Sequence, residues 1–246
     1  MHTLYLGPSW AVQSFESVYG IDDPVKTNLA QELRLTNSTS LAQYASSNLD
    51  QFKVAQNFMQ QHPDQAPFRI VFVIGNSLRD GPLDSGMTEI EWAKTFLASD
   101  DPLDIIMTLE QEFYKRLNSL GVPVALIGAH TDVGCKSHDN ITVIHPSWQN
   151  FLGQRSNVKQ FYGWAADIAH RWIKGVYVPE VGPPATFDLE QDPSPAVVDE
   201  VHKILRIWKS IERHKLICGT HPTILGNQLF AKEIARPFKR WIDNAV

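Results

Sequence analysis

The sequence predicts an α/β protein built on a parallel sheet that is covered by helices on both faces. Short apolar runs ending in Gly, Ser or Asn recur along the chain, and between them lie stretches of helical periodicity with recognisable ends. Near-continuous apolar runs are the mark of strands buried on both faces, and FRIVFVI, Phe68 to Ile74, is the clearest of them. Strands that alternate with helices are joined by crossovers, which makes the sheet parallel.

Five runs are read as strands: Thr3 to Leu6, Leu33 to Thr36, Phe68 to Ile74, Val122 to Ile127 and Lys215 to Ile217. The clearest helix spans 101 to 120, where Asp101 caps, Pro102 occupies the first turn and Gly121 ends the helix. Its Ile105, Ile106, Leu109, Phe113 and Leu117 follow helical spacing. Further helices are expected over about 157 to 174 and from about Pro195 to His214. A last one starts near Leu225 and carries Leu229, Phe230, Ile234, Phe238, Trp241 and Ile242 on one face. The stretch from 176 to 196 holds five prolines and little periodicity, so it reads as a long loop or a lid.

The chain of 246 residues reads as one large domain, 1–246, without internal repeats. Hydrophobic residues at 43% are too many for a disordered chain. A net charge of −5 argues against nucleic acid as a partner, since such binders carry a basic face. No stretch approaches the apolar length that spans a bilayer, and MHTLYLGPSW has no leader pattern, so a soluble cytoplasmic protein without a membrane partner is expected. Two cysteines, Cys135 and Cys218, make neither a disulfide framework nor a CxxC zinc site, and read as free thiols.

In a parallel sheet, ligands bind beyond the carboxyl ends of the strands, so the loops there are the expected place of a site. After the first strand comes Gly7-Pro8-Ser9-Trp10, where a dinucleotide fold would carry GxGxxG; only one glycine is present. No GxxxxGK[ST] occurs either, so no cofactor is expected. What remains is Ser9 at a strand-to-helix turn. A serine hydroxyl needs a base to become a nucleophile, and His221, in Cys218-Gly219-Thr220-His221-Pro222, is placed to supply one. Ser9 reads equally as a helix cap and His221 as part of a proline turn.

These blocks resemble the SGNH or GDSL hydrolases. Leu4-Tyr5-Leu6-Gly7-Pro8-Ser9 looks like the block that carries the nucleophile, and His221-Pro222 with Gly226-Asn227 and a helix looks like the last block. Val73-Ile74-Gly75-Asn76 is similar to the block whose asparagine lines the oxyanion hole, and the second block falls near Tyr44-Ala45-Ser46-Ser47-Asn48. The resemblance implies a flavodoxin-like three-layer α/β/α fold with a five-stranded parallel sheet, and serine esterase activity on a small-molecule ester. It implies Ser9 and His221 as the catalytic pair, with the oxyanion held by the Ser9 N–H, a Ser46 or Ser47 N–H and the Asn76 side chain. Pro8 stands where the family has aspartate, Ser46 or Ser47 where it has glycine, and Cys218 where it has the aspartate that orients the histidine. Asp80 and Asp132 are the carboxylates weighed as substitutes.

His130 and Asp132 follow the fourth strand and are expected to line the same cleft. With His138, Asp139 and His145 they also offer imidazole and carboxylate for a metal-dependent hydrolase, at a spacing that matches no zinc motif, so no metal is expected. Trp10, beside Ser9, and Trp148 are the tryptophans expected to contact a ligand; Trp164, Trp172, Trp208 and Trp241 read as core. The alternative to an esterase is a catalytically inactive protein of the same fold that binds a ligand or partner.

Overall fold

The computed structural model describes residues 1–12, 28–44, 46–75, 77–129, 132–137, 139–156, 194–196, 216–218 and 221–245. Five strands form one all-parallel sheet in the order β2-β1-β3-β4-β5: β1 (His2–Leu6), β2 (Ser38–Ser40), β3 (Phe68–Ile74), β4 (Val124–Gly128) and β5 (Ile141–His145). The helices are α1 (Ser9–Val12), α2 (Leu29–Glu32), α3 (Asn48–Gln61), α4 (Gly81–Ser85), α5 (Glu89–Leu97), α6 (Pro102–Ser119), α7 (Trp148–Ser156) and α8 (Ile224–Asn244). A separate antiparallel ribbon pairs β6 (Ile217–Cys218) with β7 (His221–Pro222).

Successive side chains of a strand point to opposite faces, and the continuous apolar runs therefore feed two cores. Tyr5, Val71, Val73, Ala125 and Ile127 face one core, together with Trp10, Trp148, Phe230, Ile234 and Phe238. Leu4, Leu6, Ile70, Phe72, Leu126 and Ile141 face the other, against Leu49, Phe52 and Ala55 of α3 and Phe113 and Leu117 of α6. This is the three-layer arrangement the sequence predicts.

The predicted strands need two corrections. Leu33 to Thr36 is not a strand: Leu33 caps α2, Arg34 and Asn37 have positive φ, and the chain turns there. The strand comes just after, at Ser38–Ser40, whose polar composition suits an exposed sheet edge but reads as loop. The His2 ring bridges Asn37 and Thr39 and holds that edge.

Lys215 to Ile217 is not the fifth parallel strand. Residue 215 lies outside the described residues, and Ile217–Cys218 pairs with His221–Pro222 across a two-residue connection, which forces antiparallel pairing. The outer parallel place belongs to Ile141–His145, a partly buried strand whose threonine and histidine break up the apolar run.

The 101 to 120 helix is present as α6, with the Asp101 side chain accepting from Asp104 N–H and Pro102 in the first turn. The last helix is present as α8, with Thr223 as its cap. Arg69 secures its far end: its Nε donates to Thr3 Oγ1 at 2.8 Å, and it reaches the Ile242 carbonyl while lying over the Trp241 ring. The helix at 157 to 174, most of that at 195 to 214, nearly all of the 176 to 196 stretch, and Trp164, Trp172 and Trp208 lie outside the described residues. Trp241 is a core residue. Among the described residues, no helix is long and apolar enough to cross a membrane.

Candidate active site

At the carboxyl edge of β1 the chain leaves the sheet through Gly7, whose φ of +145° favours glycine. A Cβ there would also stand 2.6 Å from the Val73 carbonyl oxygen. Because β1 and β3 are neighbours in the sheet, this close approach brings the two exit loops together. A Cβ at Gly75 would likewise stand 2.9 Å from Pro8 Cγ. Pro8 therefore packs on the loop that leads to position 76. Ser9 follows as the first residue of α1, partly buried.

His221 arrives from the other end of the chain, on the second strand of the β6–β7 ribbon. Its Nε2 lies 2.7 Å from Ser9 Oγ, across 212 residues of sequence. With the imidazole proton on Nδ1, Nε2 accepts from the Ser9 hydroxyl, the arrangement a general base needs. Two features place the ring. Thr223 N–H donates to the Leu216 carbonyl at 3.0 Å, closing the ribbon onto the start of α8. Trp10 lies under the imidazole, with ring centroids 6.3 Å apart.

Burial and the positive charge of Arg79 lower the His221 pKa from its ordinary value of 6.5 to about 4. The imidazole is therefore neutral at pH 7, the form in which a ring nitrogen accepts a proton. Cys218, three residues before His221, is its register partner in the ribbon.

The two aspartates weighed as substitutes are engaged elsewhere. Asp80 is buried, with Oδ1 accepting from Leu49 N–H at 2.8 Å and Oδ2 from Asn48 Nδ2 at 3.0 Å. Burial outweighs these bonds and raises its pKa to about 6. Asp132 is exposed and accepts from Asn150 Nδ2 at 2.7 Å.

Of the expected oxyanion donors, Ser47 is committed: it caps α3 in a reciprocal box, its N–H pointing to the Asp50 carboxylate and its Oγ accepting from Asp50 N–H. Ser46 is buried, and its hydroxyl donates to the Gln43 carbonyl. Gln43 N–H in turn donates to Gly7 O at 3.1 Å, so this segment runs beside the Ser9 loop. Asn76 lies outside the described residues, as do His130 and His138.

The two tryptophans read as ligand contacts are corrected. Trp10 and Trp148 are each 0% exposed and meet edge to face at 5.4 Å, with Trp148 stacked on Phe230 at 4.6 Å. They underpin the site from the core and present no surface to a ligand. His145 packs edge-on against Phe151 and Phe230 and accepts from Ser147 N–H. Among the described residues, no group of three or more His, Cys, Asp or Glu is arranged to hold a metal ion.

Three buried residues prove central to the geometry: Gln51, which sequence reasoning passed over, Asn48, named there only as the end of a block, and Asp80, weighed there only as a partner for the histidine. Asn48 Oδ1 accepts from Gly75 N–H at 2.8 Å, and Gln51 Oε1 accepts from Gly7 N–H at 2.9 Å. The first turn of α3 thereby holds both exit loops. The signal available in the sequence is the polar pair at i, i+3 beginning an amphipathic helix, on the face that packs against the sheet. Comparison with protein-family models, curated proteins and solved structures found no match to this chain.

Proposed function

We propose that this protein is a serine hydrolase of the SGNH type acting on a small-molecule ester, most simply a short acyl group carried on a carbohydrate or similar polar alcohol. The observation that carries the reading is the 2.7 Å hydrogen bond between Ser9 Oγ and His221 Nε2 at the carboxyl edge of a parallel sheet.

In this mechanism His221 Nε2 takes the hydroxyl proton as Ser9 Oγ attacks the ester carbonyl. The tetrahedral oxyanion is held by the N–H groups of Ser9 and Ser46 and by the Asn76 side chain. Collapse expels the alcohol, which leaves with the proton from His221. Water then attacks the acyl-serine, again giving its proton to His221, and as the bond to Ser9 Oγ breaks the imidazolium returns that proton to Ser9 and the acid departs. In this reading His130 and Asp132 are the residues that contact the polar carrier. A cytoplasmic location belongs to this proposal and draws on the free thiol at Cys135; nucleic acid is not a partner in it.

A fluorophosphonate probe tests the reading without the natural substrate. Wild-type protein is expected to carry the adduct on Ser9, with labelling abolished in Ser9→Ala and strongly reduced in His221→Ala. Folded wild-type protein that leaves Ser9 unmodified overturns it. The second reading, a ligand-binding protein without catalysis, is favoured by one observation: Cys218 stands opposite His221 where the family has its orienting carboxylate. That reading is the one left if Ser9 stays unmodified.

A further inference from the structure

We propose that Asn48 and Asp80 act as a coupled pair of positioning residues that fix the oxyanion side of the Ser9 site. This rests on the hydrolase reading above. Neither residue touches the Ser9–His221 pair; the role comes from what they hold. Asn48 grips both polar groups of Gly75, accepting from its N–H at 2.8 Å and donating to its carbonyl at 3.3 Å. Gly75 is the residue before Asn76 and packs on Pro8, the residue before Ser9.

A side-chain amide is free to rotate unless both its ends are specified, and Asp80 specifies them. Its carboxylate accepts from Asn48 Nδ2 at 3.0 Å and from Leu49 N–H at 2.8 Å, with the Ser47 hydroxyl and the Asn48 N–H as further donors, so the Asn48 amide nitrogen must point to Asp80 and its oxygen to Gly75. Asp80 itself follows the 3₁₀ turn Ser77–Arg79 that continues the Asn76 loop, and its N–H donates to Ser77 O. The loop is therefore clamped before and after Asn76 by one buried pair. Gln51, one turn further along α3, holds Gly7 on the Ser9 side, so the separation of nucleophile loop and oxyanion loop is set by a single helix turn.

The pattern of donors and acceptors makes a sharp test. Asp80→Asn replaces an all-acceptor group by one that must offer N–H₂ to Asn48 Nδ2 or to Leu49 N–H, and Asn48→Asp sets two carboxylates against each other. The double swap Asn48→Asp with Asp80→Asn restores the shorter bonds and gives up only the 3.3 Å bond to the Gly75 carbonyl: the carboxylate introduced at position 48 accepts from Gly75 N–H and from the new amide at position 80, whose oxygen accepts from Leu49 N–H. Hydrolysis of p-nitrophenyl acetate, the rate of fluorophosphonate labelling at Ser9 and thermal unfolding are measured for all four proteins.

Each single variant is expected to lose about 10- to 100-fold in kcat with KM within about threefold, the size of effect that an ångström-scale misplacement produces. The swap is expected to recover kcat to within about threefold of wild type. If the single variants do not fold, the folded swap carries the test: wild-type kcat supports the pairing and a loss above about tenfold overturns it. Folded single variants with wild-type kcat, or single variants impaired without recovery in the swap, also overturn the positioning role. Unlabelled wild-type Ser9 overturns the hydrolase reading itself and removes the reaction these residues would serve.

Discussion

Gly226 rests on the carbonyl oxygen of Leu216 so closely that a Cβ on the glycine would stand 2.3 Å from it. The same oxygen accepts from Thr223 N–H, so one carbonyl fixes both the cap and the first turn of α8, and His221 lies between these contacts and the β6 strand.

Gly226→Ala is therefore expected to push α8 away from Leu216 and carry His221 off Ser9. Overpacking of this kind costs about 1–3 kcal/mol. Chemical denaturation is expected to report that loss, and fluorophosphonate labelling of Ser9 to fall by at least about tenfold. Unchanged labelling would mean that the α8 cap does not position the histidine.

The acid limit of labelling is expected near pH 4, where His221 takes up a proton, and not near the ordinary 6.5. Since the folded pKa is the lower one, the unfolded chain binds the extra proton first, and this group withdraws stability as pH falls from about 6.5 to 4. Arg79→Gln removes the charge that opposes the imidazolium and is expected to move the labelling midpoint upward. Rates measured between pH 3.5 and 8 check both statements.

Glu110 on α6 gives the opposite sign. Burial, helped by the charges of Asp132 and Asp80 and opposed by the Ser77 hydroxyl, raises its pKa to about 7. The folded state holds this proton more tightly, so its contribution is complete below about 4.5 and is lost as pH rises through 7. Glu110→Gln is expected to match wild type at pH 4.5 and to be more stable by about 1–3 kcal/mol at pH 8, each pKa unit being worth about 1.4 kcal/mol. Urea titrations at the two pH values measure the difference.

Trp10 separates a ligand wall from a structural floor. Trp10→Ala is expected to cost about 3–5 kcal/mol, as for other fully buried aromatics, while Trp10→Phe keeps the fold and leaves KM for p-nitrophenyl acetate within about twofold. A large rise in KM in stable Trp10→Phe would restore the indole to the ligand surface.

The central strands were legible because each is buried on both faces and therefore nearly all apolar; Phe68–Ile74 needs no tertiary information to be recognised. The sheet's outer strands were not. Ser38–Ser40 is polar because it lies at an exposed edge, and Ile141–His145 mixes threonine and histidine into its run. Ser9 and His221 were legible as residue types at the ends of apolar runs. Their hydrogen bond required a ribbon whose direction depends on the short Gly219-Thr220 connection. The roles of Asn48, Gln51 and Asp80 escaped because their partners include backbone groups of distant loops: the polar pair at i, i+3 is visible at the start of α3, but not what it holds. Trp10 misled through its adjacency to Ser9 and Trp148 through its place in His145-Pro146-Ser147-Trp148: a side chain next to a candidate site residue or in a loop segment can still point into the core.

The strand order has a further consequence. From β1 the chain departs toward β2 on one side, and from β3 toward β4 on the other, although β1 and β3 are themselves paired. Neighbouring strands whose exits diverge leave a crevice between them, produced by topology before any side chain is chosen. Ser9 and the loop that begins at Gly75 flank that opening. Under the proposed hydrolase reading, replacement of Ser9 or His221 is expected to silence chemistry and leave the crevice intact, which makes hydrolysis and recognition separable on this scaffold. A descendant that lost the first would still inherit a place to bind.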